Sequence, residues 1–205
     1  MILPAAVFLA FGIAAAAGPF DGVERITPEQ AVQRAAECGL GPVKVRYEEL
    51  FQSDVLTLAS VGSATDDQLA CLDRAVGWGN MVELPDGVQT RFDALRNARA
   101  GAILGEHART WLAGRGLLDR VPSYVAGTTD EATFTRAVET LCGSHARGAF
   151  QSEFGPHVLS PDWLKRIGLP PSSEDEEGFD CVTNVAFLAG FDIGFVGNAA
   201  LAEAE

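Results

Sequence analysis

The sequence predicts an α+β protein with more helix than strand, stapled by disulfides. Three observations carry this: several stretches open with helix-capping residues, two short runs between the first two of them alternate apolar and polar residues, and an even number of cysteines follows an apolar N-terminus.

The chain begins MILPAAVFLAFGIAAAAGPFDG. An apolar run so soon followed by polar chain falls short of a membrane span of about 20 residues. Ala15 and Ala17 supply the small residues a signal peptidase needs, so residues 1–17 are expected to be a cleaved export signal with Gly18 as the mature N-terminus. No lysine or arginine precedes the run, which departs from the usual pattern. Residues 18–205 then remain, enough for one domain or two small ones. No charged residue lies before Asp21, so the formal charge of −13 belongs to the mature chain. That field repels phosphate backbones and anionic lipid, which argues against nucleic-acid and membrane-surface partners and leaves basic ones open. Lysine occurs only at Lys44 and Lys165, while arginine and alanine are plentiful, a bias of GC-rich bacterial genomes. The expected location is periplasmic or secreted.

In such a compartment, Cys38, Cys71, Cys142 and Cys181 read as two disulfides. Of the three connectivities, nearest neighbours are expected, Cys38 with Cys71 and Cys142 with Cys181, because each pair brackets one compact unit. Closing loops of this size contributes about 3 to 4 kcal/mol each in the chain-entropy model.

ITPEQAVQRAAECGLG opens the first helix: Thr27 caps it, Pro28 takes the first helical position and Gln30 closes a capping box. Ala31, Ala35 and Cys38 share its inner face, and Gly39 ends it. In the next run, Val43, Val45 and Tyr47 point one way and Lys44, Arg46 and Glu48 the other, and Val55 to Ala59 follows as an antiparallel partner strand. ATDDQLACLDRAVG repeats the entry signal with Thr65 and Gln68, and Leu69, Leu72 and Val76 form its apolar stripe. Residues 18–80 therefore read as a small αββα unit and residues 81–205 as a mainly helical region, either a second unit or one domain with the first. Within the latter, Met81 to Leu84 is a candidate strand, and Val88 to Ala113 is helical, with Gly101 and Gly105 as breaks or close-packing points. Thr128 to Glu131 reads as a third capping box, before a helix burying Phe134, Val138 and Leu141. Ser160 and Pro161 start a short helix. PPSSEDEEG reads as a solvated acidic loop, with Ser172 or Ser173 opening a final helix that Gly190 ends.

The segments ATDDQLACLDRA and FDCVTNVAFLAGFDIGFVGNAALAEAE resemble exported proteins of alphaproteobacteria that have no characterised activity. The resemblance implies export and brings no site with it.

No complete catalytic, cofactor or metal motif is present in the sequence. Cys142, His145, His157 and Cys181 make a chemically plausible zinc set, but the spacing from His157 to Cys181 matches no short-spaced finger or ribbon, and the thiolates would have to stay reduced. A thiol nucleophile at Cys142 meets the same objection. No G-x-S-x-G elbow or phosphate-binding glycine pattern occurs. Glu174 to Asp180 lacks the order of a calcium loop, and His107, with Ile103 and Trp111 four residues either side, reads as a histidine packed on an aromatic. The leading expectation is a non-enzymatic module that binds a protein or an envelope component, with no cofactor and no membrane span after signal cleavage. The alternative is a small envelope hydrolase using the Ser144, His145 and His157 neighbourhood. Oligomeric state is left open.

Overall fold

The computed structural model describes residues 26–50, 52–58, 61–167 and 172–195. The expected signal peptide lies outside the described residues. The architecture is α+β, and two disulfides join Cys38 to Cys71 and Cys142 to Cys181, with Cα atoms 5.7 and 5.6 Å apart.

Helix α1 (Pro28–Ala36) and helix α2 (Asp66–Val76) both start with the expected capping boxes, Thr27 with Gln30 and Thr65 with Gln68. Between them, β1 (Lys44–Glu48) and β2 (Ser53–Thr57) pair antiparallel, Val45 opposite Leu56. Strand β3 (Met81–Glu83) follows α2 and pairs parallel with β2, so the sheet order is β1-β2-β3. The unit expected to be αββα therefore continues into a β-α-β crossover. One face of the sheet carries Val45, Leu56 and Val82, and Leu56 is wholly buried on it against residues of α1 and α2. Val45 and Tyr47 share that face yet stay 43% and 61% exposed.

Helix α3 (Asp86–Gly114) runs unbroken through Gly101 and Gly105. At about 1.5 Å per residue it is about 43 Å long. Its first turns add Val88 and Phe92 to a core that holds Ala31, Leu56, Leu69, Leu72 and Val76, so this core extends past residue 80. Its last turns supply Trp111 and Leu112 to a second core with Phe134, Val138, Trp163, Val182 and Val185. From Asp93 to Leu104 no residue of the helix is buried. Each core contains its own disulfide: Cys38 lies in the first with Cys71 against it, Cys181 in the second with Cys142 against it.

The second core is built by α4 (Glu131–Cys142), a 3-10 turn (Ser144–Ala146), α5 (Pro161–Ile167) and α6 (Ser173–Ala189). Tyr124, Phe134 and Phe191 meet in it with ring centroids 4.8 to 5.0 Å apart. Two local expectations need correction. The cap of α4 is Asp130, which accepts from the Thr133 amide at 2.8 Å and its hydroxyl at 2.6 Å. A carboxylate outcompetes the Thr128 hydroxyl because it also meets the positive end of the helix dipole. The acidic run is not a loop either: Ser172 caps α6, and Glu174, Asp175 and Glu176 form its first turn. The dipole of α6 offsets their mutual repulsion, as that of α4 favours Asp130.

Candidate functional site

A groove of about 650 Å³ opens where β3 meets the first turns of α3. The two elements are set side by side by Leu84 and Pro85, where the strand ends and the helix begins. Gln89 fixes that corner: its Oε1 accepts from the Leu84 amide at 2.8 Å, and its Nε2 donates to Asp93 Oδ1 at 2.9 Å. The buried Val55 and Phe92 lie at the bottom of the groove, with the partly exposed Met81 beside them.

The cations of the groove are already engaged. Arg96 donates to the carbonyls of Gly77 and Trp78 at 2.8 and 2.9 Å, and more weakly to Asn80 at 3.4 Å. Burial lowers its pKa, with the nearby Asp73 opposing. Arg46 is held by Glu48 and by Glu83, the latter at 2.7 Å. Asn80 donates to the carbonyls of Ile26 and Val76 at 2.8 and 2.7 Å, which ties the start of α1 to the groove. Trp78 packs under two guanidinium groups, Arg99 at 3.8 Å and Arg96 at 5.7 Å from its ring centre. Asp86 and Asp93 are exposed carboxylates on the helix side, Asp93 also accepting from Gln89 and acting on the charge of Arg96. Apolar bottom, committed arginines and exposed carboxylates suit a ligand that brings a positive charge on an apolar stem.

The Ser144, His145 and His157 neighbourhood is arranged otherwise. Ser144 lines a separate groove of about 470 Å³ with Arg136, Glu139, Thr140, Arg147 and Gln151, and neither histidine is among its walls. His145 turns to α6: its Nδ1 lies 3.1 Å from Asp175 and its Nε2 3.2 Å from Glu174. The serine beside this histidine–carboxylate pair is Ser172, and its hydroxyl donates to Asp175 at 2.6 Å. A serine nucleophile needs its base within hydrogen-bond reach of the hydroxyl, whereas here the carboxylate stands between them. His157 Nδ1 faces Glu131 at 3.7 Å. The zinc set has lost both of its thiols to the disulfide. His107 is half-buried on α3, within electrostatic reach of Asp180, whose carboxyl is raised by burial and by Glu176.

Around His145 the contacts are structural. Its carbonyl accepts from Trp163 Nε1 at 2.8 Å, and a Cβ placed on Gly178 would come within 2.8 Å of its own Cβ. The absence of a side chain at Gly178 is what lets α6 close on the 3-10 turn. The Ser172 hydroxyl, then the His145 ring, lowers the Asp175 pKa. A depressed carboxylate stabilises the fold above its unfolded pKa, and that contribution is lost as pH falls through the lowered folded value. Thermal midpoints of the protein and of Asp175→Asn, measured from pH 7 downward, are expected to differ at neutral pH and converge in acid. A constant difference across the range would mean that the carboxylate charge is not what anchors α6.

These elements define a two-core, two-disulfide α+β protein joined by one long helix. No family model, curated protein or solved structure matches the chain.

Proposed function

We propose that this is an exported protein, periplasmic or secreted, that works by binding a basic protein or envelope component through the groove between β3 and α3. The observation that carries the reading is the charge state of that groove: its arginines are bonded to Glu48, Glu83 and backbone carbonyls, while Asp86 and Asp93 line it as exposed carboxylates. Two disulfides support export, because such bonds persist in oxidising compartments.

Two measurements test it. Intact mass of the expressed protein under non-reducing alkylation reads processing and thiols together. A chain starting near Gly18 with no alkylated cysteine is expected, and a full-length chain with four alkylated thiols overturns export. For binding, envelope extract is passed over the protein and over Asp86→Lys/Asp93→Lys. A basic component retained by the first and released from the second is expected, whereas equal retention on both, or none on either, removes the groove as the binding site.

A further inference from the structure

The outer edge of β1 pairs with no strand among the described residues, and its sequence is self-complementary. We propose that β1 pairs antiparallel with β1 of a second copy about a two-fold axis at Arg46, joining two three-stranded sheets into one of six.

Edge strands present unpaired backbone groups, and proteins usually blunt them with charges. Here the charges have opposite sign at the two ends. Lys44-Val45-Arg46-Tyr47-Glu48 turned against itself places Lys44 opposite the partner's Glu48 and Val45 opposite the partner's Tyr47. Each charged or apolar pair occurs twice by symmetry, the hallmark of an isologous contact. Opposite charges and an aromatic facing a β-branched residue are both favourable cross-strand neighbours. The register also gives a partner to Val45 and Tyr47, which lie on the core-facing side of the sheet and are left exposed by the described residues. At the axis, Arg46 meets the partner's Arg46. Each is neutralised within its own chain by Glu48 and Glu83, which lowers the repulsion of that pairing. A strand that lacks this alternation of charge gains none of these contacts, so the edge selects its own kind. The inference does not rest on the binding role of the groove, which is lined mainly by β3 and α3 and reaches β1 at Arg46.

A strand of this length buries little area, so the dimer is expected to be weak. The net charge of −13 on each copy opposes it at low salt, and about 0.15 M salt screens that repulsion beyond about 8 Å. Sedimentation velocity from about 10 μM to about 1 mM reads the equilibrium. A concentration-dependent dimer is expected in the wild type. Lys44→Glu sets carboxylate against carboxylate at both symmetric positions and is expected to weaken the dimer about tenfold or more. The swap Lys44→Glu/Glu48→Lys recreates the complementarity and is expected to restore it. Circular dichroism checks that all three proteins are folded. A wild type that stays monomeric throughout overturns the proposal, as does a dimer indifferent to Lys44→Glu or a swap that fails to restore it.

Discussion

Replacing Cys142 and Cys181 together by alanine is expected to cost the second core about 4 kcal/mol, and replacing Cys38 and Cys71 the same for the first. The bonds close loops with sequence separations of 39 and 33, and the entropy removed from the unfolded chain grows only slowly with that length. The more informative part is where the loss is felt. Each bridge lies inside one core, and among the described residues the element common to both cores is α3, none of whose residues from Asp93 to Leu104 is fully buried. The damage is therefore expected to stay on its own side. Tryptophan fluorescence can read this, since Trp111 and Trp163 lie in the second core and Trp78 beside the first. Loss of the Cys142–Cys181 bond should shift urea unfolding in Trp111 and Trp163 while Trp78, followed in a variant lacking the other two, moves little. A common shift at all three would show that α3 transmits the full stability of one side to the other.

The second large effect is expected at Asp73. Its side chain is nearly wholly buried on α2, 2.5 Å from Arg99 Nε and 3.8 Å from Arg96 Nε, and its Oδ1 has no hydrogen-bond partner. A buried carboxylate is expensive alone, and its removal is also expensive, because the guanidinium groups it compensates are left behind. Asp73→Ala is expected to destabilise the first core by about 3 kcal/mol, at the lower end for a broken buried pair because Arg99 keeps some contact with water. The origin of the effect can be separated from packing by a cycle. If charge is the cause, adding Arg99→Met to Asp73→Ala recovers part of the loss in urea unfolding. If Arg99→Met adds its own full cost instead, the carboxylate matters only as volume. Trp78, stacked beneath Arg99, should report the same event as a change in emission.

What could be read from the sequence was what is decided locally. Thr27 with Gln30, Thr65 with Gln68, Ser160 and Ser172 each act within one helical turn, and all four start helices as their residue types require. Nearest-neighbour pairing of the cysteines followed from the compactness of each bracketed segment. Alternation in β1 correctly put Val45 and Tyr47 on one face, but alternation says which residues share a face and not whether anything covers it. The parallel pairing of β2 with β3 is a crossover through α2, and three residues of strand leave too short a pattern to announce it. Gly101 and Gly105 were ambiguous because a glycine weakens a helix without ending it. The groove was missed outright. Its materials were in view, with Trp78 between two glycines and Arg96 and Arg99 one turn apart on a helix, but the carboxylate that organises them lies on α2. In the same way His145 was singled out, while Glu174 and Asp175, which hold it, lie some thirty residues away.

The order in which the bridges occur along the chain sets how oxidative folding can proceed. In a polypeptide delivered N-terminus first into an oxidising space, Cys38 and Cys71 would arrive ahead of Cys142, and the first bond could close before Cys142 emerges. Cys142 then finds no competitor until Cys181 follows it. Under such delivery the connectivity of the two bonds would match the order in which the cysteines arrive, and a thiol oxidase would have little for an isomerase to repair.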